Sequence, residues 1–253
     1  MKNAIEKIHA AARECPIGGL DENIFLDSDI CFFLLGRQKA SFKGFCDVPL
    51  SAVACMVRND WYKEKAKTWR EATFCLHGDG WGEKVFEYFE GDFLEKSFPA
   101  PSCLYHLKLQ SVGGLVSCAN GTHRLVAAKA WLLHTQGESA VLKQASLERF
   151  EIDPLIEKLL YMAVNNNEEI AISFVEPDER EYLRIDNQFL RFYLRIGKDK
   201  FFVRTEENIY PLANKFHFSD ISASMRSGMK CYGRKNWKVV PTSIVCKALN
   251  KSW

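Results

Sequence analysis

The stretch Leu115-Val-Ser-Cys-Ala-Asn-Gly-Thr-His-Arg-Leu-Val-Ala-Ala128 decides how this chain folds. Leu115 to Ala119 form a short, largely apolar run, which suits a buried strand. From Thr122 to about Gln136 the apolar residues Leu125, Ala128 and Leu132 recur at helical spacing instead. Gly137 stands where a left-handed C-terminal cap is wanted. Upstream, Tyr105 to Leu109 alternates as a strand and Ser111-Val-Gly-Gly114 turns the chain. The expected local structure is therefore a hairpin that feeds a helix through the two-residue joint Asn120-Gly121.

That joint has a chemistry of its own. The first turn of a helix leaves backbone N–H groups without intrahelical partners, and the helix dipole adds positive potential there. Gly121 lets the backbone come close to a ligand. Thr122 offers a hydroxyl, His123 an imidazole and Arg124 a planar fork suited to phosphate oxygens. Residues Asn120, Gly121, Thr122, His123 and Arg124 are thus suited to hold an anion. The other reading of the same residues is a plain helix cap, with His123 and Arg124 solvated or paired to acids.

Working outward, Ala4 to Glu14 reads as an amphipathic helix closed by Pro16 and Gly18-Gly19. Ile30 to Leu35 reads as a buried strand. Phe45 to Val53 reads as an extended segment whose Pro49 confines it to an edge or a strand end. Asp60 to Phe74 and Glu83 to Lys96 carry helical spacing on either side of the glycine-rich loop His77-Gly-Asp-Gly-Trp-Gly82. After Pro154 a helix from Leu155 to Val164 ends in Asn165–Asn167. Strands then follow at Ile170–Val175, Glu181–Ile185, Phe189–Ile196 and Lys200–Arg204, with Gly197-Lys-Asp199 as a hairpin turn. The Asn run is the expected domain boundary. The predicted organisation is an N-terminal extension over 1–39, a mixed α/β domain over 40–165 with an insert at 59–101, and a β-rich region with a basic tail over 166–253.

The 253 residues are 47% hydrophobic and 26% charged, the composition of an ordinary globular protein rather than a disordered one. Formal net charge is only +2, but its distribution is uneven. From Ile221 onward there is no Asp or Glu, while Arg226, Lys230, Arg234, Lys235, Lys238, Lys247 and Lys251 supply seven positive charges. Such a field attracts phosphate, and Arg234, Lys235 and Lys238 are the candidate nucleic-acid contacts. Nine scattered cysteines without C-x-x-C spacing read as buried, reduced thiols. With no signal-like N-terminus and no long apolar run, the expectation is a soluble cytoplasmic protein without a membrane partner.

Gly121-Thr-His-Arg-Leu-Val-Ala-Ala128 resembles the G-x-H-R-x-x-A signature of the ParB/sulfiredoxin superfamily. Asp47-Val-Pro-Leu-Ser-Ala-Val53 resembles the V-P-L-S-x-I segment that opens ParB-like domains, and the hairpin from Tyr105 resembles the strand pair before the motif. The resemblance covers roughly residues 40 to 150. It implies a ParB/sulfiredoxin-like mixed sheet and nucleotide phosphates, from ATP or CTP, bound between strand and helix. Thr122 stands where sulfiredoxins carry their nucleophilic cysteine, so sulfinate reduction is not expected. Strands rather than a helix-turn-helix follow the motif domain, which argues against a chromosome-partitioning protein of the usual form.

The leading expectation is a nucleotide-phosphate-binding protein that hydrolyses or transfers phosphate in a DNA-related bacterial system, with His123, Arg124 and Asp47 as the candidate catalytic set. Asp47 would act as base or hold Mg²⁺ beside the phosphate, and Asp79, in the glycine-rich loop with His77 and Glu83, is the second candidate metal ligand. A strand-edge acid and a plain surface loop explain the same residues without a metal. The alternative is a non-catalytic DNA-binding or adaptor protein, or a ParB-like nuclease. The run Phe189 to Phe202 interleaves aromatics with Arg191, Arg195, Lys198 and Lys200, as a base-stacking platform or as a half-buried strand.

Overall fold

The computed structural model describes residues 3–26, 39–57, 66–77, 80–94, 96–100, 105–174, 184–185, 188–189, 191–205, 207–212 and 237–253. The chain is a mixed α/β protein that separates into two compact units, one of residues 1–32, 38–151 and 250–253 and one of residues 33–37 and 152–249.

The first unit opens with helix α1 (Ala4–Glu14), started by a reciprocal capping box between Asn3 and Glu6. Its apolar stripe, Ile5, Ile8 and Ala12, is buried. Far from being an extension, α1 belongs to this unit's core. Strands β1 (Phe25–Leu26), β2 (Phe42–Pro49) and β3 (Val53–Met56) follow, with a single 3-10 turn at Leu50–Ala52 between the last two. The extended segment expected over Phe45–Val53 is therefore two strands, because Pro49 cannot continue the ladder. Helix α2 (Trp69–Phe74) is capped by Thr68 and Glu71. Helix α3 (Lys84–Glu90) stops at Gly91, well before the expected Lys96.

Strands β4 (Lys108–Val112) and β5 (Leu115–Asn120) form the hairpin ahead of helix α4 (Thr122–Gln136). The strand expected at Tyr105–Leu109 begins later, since the turn is only Gly113-Gly114, with Gly113 at φ +56°. Strand β6 (Val141–Phe150) has no counterpart among the sequence expectations. Its alternation is interrupted at Gln144, a non-glycine residue at φ +48°, so the period-2 signal is lost midway. The six-stranded sheet runs β1-β3-β5-β4-β6-β2. Its β1-β3, β3-β5 and β4-β6 pairs are parallel and its β4-β5 and β2-β6 pairs antiparallel.

Helix α4 is buried along most of its length, Lys129 included. That ammonium donates to the carbonyls of Val53 at 2.8 Å and Leu50 at 3.4 Å and sits 4.3 Å from the Trp69 ring centroid. A buried cation held by carbonyl dipoles and a ring face ties α4 to the start of β3. The described part of the insert packs too. Trp81, Tyr88, Phe89, Phe93 and Phe98 form an aromatic cluster, and Phe86 packs on Trp131 of α4 at 4.1 Å.

The second unit begins with helix α5 (Pro154–Asn165), so the division falls after Glu151 rather than at the Asn run. The reason is local. Asp153 caps α5 by accepting from the Leu155 amide, and its carboxylate also meets Arg204 at 3.2 Å, both side chains nearly buried. That pair fixes α5 to the second sheet. Strands β7 (Ile170–Phe174), β8 (Arg184–Ile185), β9 (Gln188–Phe189), β10 (Phe192–Ile196), β11 (Lys200–Arg204), β12 (Ile209–Leu212) and β13 (Lys238–Val240) precede helix α6 (Thr242–Leu249). Five of them form an antiparallel sheet ordered β12-β11-β10-β7-β13, and β8 pairs with β9 alone. Phe192 and Tyr193 are buried, and Arg195 pairs with Glu169 at 2.5 Å beneath Trp237. This strand is a packed one, and Phe192 and Tyr193 are not offered to bases. Ile30–Leu35 lies outside the described residues. No helix among those described is long and apolar enough to cross a membrane.

Candidate functional site

Strand β5 ends and α4 begins at Gly121, whose φ of +94° and ψ of 34° place it in the left-handed region. The N-cap residue has no side chain to cap this helix and the first turn holds no acid, so the positive end of the dipole is uncompensated by the helix itself. The first intrahelical bond runs from the Leu125 amide to the Gly121 carbonyl at 2.9 Å. Glycine is needed twice over. A β-carbon at 121 would adopt a backbone conformation rare for L residues, and it would lie 2.9 Å from Nη2 of Arg124 and 3.0 Å from Cδ1 of Leu107.

Arg124 therefore folds back over the joint. Only 5% of it is exposed, its guanidinium lies over the Phe98 ring at 5.8 Å, and Nη1 is buried without a hydrogen-bond partner among the described residues. Arg124 also has no carboxylate partner there. A buried guanidinium with an open donor is costly in isolation, because leaving one buried donor unmet costs about 1–3 kcal/mol. The plain-cap reading expected solvent or an acid around Arg124; the side chain is buried, and no acid among the described residues pairs with it.

The neighbouring motif residues are placed around that group. Asn120 donates through Nδ2 to the His106 carbonyl at 3.2 Å, which holds the segment before β4 against the joint. The Thr122 hydroxyl points back toward Sγ of Cys118 at 4.0 Å. Burial pushes the Cys118 thiol up to about 12, outweighing the opposite pull of Thr122 and Arg124. The thiol is thus protonated packing, not a nucleophile. The ring of His123 meets that of His77 edge to face, with centroids 5.2 Å apart.

Asn120, Gly121, Thr122, His123 and Arg124 are brought together; Asp47 is not brought to them. It sits at the irregularity between Cys46 and Val48 on β2, the outermost strand on the far side of β4 and β6. Asn120 pairs with Lys108, Lys108 with Ser146 and Ser146 with Phe45, so three strand spacings intervene. That amounts to about 14 Å across the sheet. The Asp47 carboxylate is also occupied, accepting from the Gln144 amide at 2.9 Å and from Gln144 Nε2 at 3.1 Å. It steadies the left-handed Gln144 of the bulge, a local role that explains an acid there without a metal.

Asp79, Arg234 and Lys235 lie outside the described residues. Lys238 is exposed on β13, at the edge of the second unit's sheet. Among the described residues no three His, Cys, Asp or Glu side chains gather as a metal site.

Two participants come from the insert and escaped the sequence reading as neighbours of the motif. His77 was visible as part of a glycine-rich loop and, with Asp79 and Glu83, as a possible metal ligand, but not as a neighbour of His123, and Phe98 carried no signal at all. Nothing in their spacing ties residues 77 and 98 to residues 123 and 124. Only the packing of the aromatic cluster on α4 does. No family model, no curated protein and no solved structure matches this chain.

Proposed function

We propose that this protein binds nucleotide phosphate at Asn120–Arg124, in the manner the ParB/sulfiredoxin resemblance implies. The observation that carries the reading is Arg124: a buried guanidinium with an open Nη1 and no acid partner among the described residues, folded onto a left-handed glycine at a helix N-terminus whose N-cap residue has no side chain. Helix amides, the dipole and a planar fork converge there, and an anion is the one kind of group that meets all three. Hydrolysis or transfer of the bound phosphate, with ATP or CTP as the nucleotide and Mg²⁺ as a companion ion, extends this reading. Asp47 no longer serves it as base or metal ligand.

The test is a thermal-shift series with ATP, ADP, CTP and GTP, each with and without Mg²⁺. A ligand at a hundred times its dissociation constant adds about 2.7 kcal/mol of stability, which is readily seen. A flat response to every nucleotide and to inorganic phosphate removes the proposal.

A further inference from the structure

We propose that His77, which lies outside the Asn120–Arg124 motif, is a further binding residue of this anion site, and that the site it completes takes a terminal phosphate in preference to the diester of a nucleic-acid backbone. The inference rests on the reading of the site given above.

His77 stands just beyond α2, and its Nδ1 lies 3.0 Å from the Cys75 carbonyl oxygen. A carbonyl only accepts, so Nδ1 carries the hydrogen and donates it. That bond fixes both the tautomer and the ring's orientation. Nε2 is left with no hydrogen-bond partner among the described residues, on an exposed side chain. A ring steadied through Nδ1 by a backbone carbonyl is one whose other nitrogen is set up to meet a ligand.

The ring is also in the right place. It touches His123 at 5.2 Å between centroids, and His123 is the residue before Arg124 in the first turn of α4. Edge-to-face packing of two imidazoles is ordinary in itself. Its setting is less so, because His77 and Arg124 pair with no carboxylate among the described residues. A second cation beside His123 and Arg124 is disfavoured by like-charge repulsion unless an anion is present to balance it. Beside a bound anion that repulsion is balanced, and a ring carrying hydrogen on both nitrogens donates to the anion through Nε2.

The charge of that anion follows. A terminal phosphate carries about −1.5 to −2 near neutral pH and presents three oxygens, whereas a backbone diester carries a single charge. A guanidinium only 5% exposed favours the narrow tip of a phosphate chain. A diester is flanked by sugar on both sides and cannot enter that way. The additional donor from His77 rewards the doubly charged end.

The experiment is titration calorimetry at low salt with ATP and with a single-stranded oligonucleotide lacking terminal phosphates. The wild type is compared with His77→Ala and His77→Lys, and melting curves confirm that each variant is folded. We expect His77→Ala to weaken ATP about tenfold or more, the scale of one charge-assisted hydrogen bond. His77→Lys, which restores a cation, should stay within about threefold of the wild type, and the oligonucleotide should bind far more weakly than ATP. If ATP binds the wild type and His77→Ala alike, His77 is only packing and this proposal falls while the anion site stands. If the oligonucleotide binds as tightly as ATP, the preference for a terminal phosphate is wrong. If neither ATP nor inorganic phosphate binds the wild type, the underlying site is wrong as well.

Discussion

Gly121 and Arg124 claim the same space: a β-carbon on residue 121 would stand 2.9 Å from Nη2 and 3.1 Å from Cζ of the guanidinium. The strand-to-helix joint and the position of the arginine are therefore one structural fact. Gly121→Ala tests both halves. The φ of +94° makes any β-carbon strained, at about 1–3 kcal/mol, and the methyl displaces Arg124 besides. We expect a lower Tm together with loss of the nucleotide-induced shift at temperatures where the variant is still folded. Retention of both wild-type values would mean that the close approach is not used.

Arg124→Leu separates a binding arginine from a structural one. Leucine keeps apolar contact with Phe98 but removes a buried guanidinium whose Nη1 is unmet among the described residues. The charge also sits at the unfavourable end of the helix dipole, worth about 0.3–1 kcal/mol. The apo variant should melt at the wild-type temperature or above it and show no nucleotide shift. A fall in Tm with the nucleotide shift preserved would assign Arg124 to the core instead.

Asp47→Ala should behave in the opposite way. The carboxylate accepts two hydrogen bonds from the left-handed Gln144, so its loss costs stability, about 1–2 kcal/mol, and leaves nucleotide affinity unchanged. The paired measurement is a melt and a nucleotide titration. Unchanged stability with lost binding would return Asp47 to the site.

How much of this was legible in the sequence differs residue by residue. Helix α4 and the Asn-Gly joint were, because helical spacing, a strand before it and glycines at both ends agree. Strand Lys200–Arg204 and the turn before it were also, for the same reason of consistent local signals. Strand β6 was not, because Gln144 breaks its alternation. The boundary at Glu151 was not, because it depends on the buried Asp153–Arg204 pair, which no local pattern announces. Within the site the motif was legible as a run of neighbours. The burial of Arg124 was not, since the ring over its guanidinium, Phe98, arrives from another segment. Asp47 misled because an acid beside a familiar-looking segment says nothing about which strand of the sheet it will occupy.

The basic C-terminal segment is tested by salt. Replacing Arg234, Lys235 and Lys238 with alanine should weaken any binding of short DNA or RNA duplexes at low salt and flatten its salt dependence. Removing one side chain that neutralises a phosphate lowers the salt slope by about one. Nucleotide binding at Asn120–Arg124 should be nearly untouched. If duplexes do not bind the wild type at low salt, these charges form a solvated face.

The positive potential at the start of α4 can be read directly with a thiol. Native Cys118 supplies the baseline: burial holds it up to about 12, so it should resist alkylation at pH 8 while the exposed Cys75 and Cys246 react. Because its folded value lies above its unfolded one, the stability it contributes is complete below the ordinary thiol range and is lost as pH rises toward about 12. Thr122→Cys places a second thiol four residues on, across the joint, at a half-buried position in the first turn of α4. There the unpaired amides, the dipole and Arg124 all favour the thiolate, so its titration should lie about one unit or more below an ordinary thiol. The measurement is the pH dependence of alkylation, followed by mass spectrometry at each cysteine, with and without saturating inorganic phosphate. Bound phosphate should slow the reaction by occupying the same place. The Arg124→Leu background should shift the titration back upward. A Thr122→Cys thiol that titrates like an ordinary thiol, or reacts equally fast with phosphate present, would show that the joint carries no field for an anion.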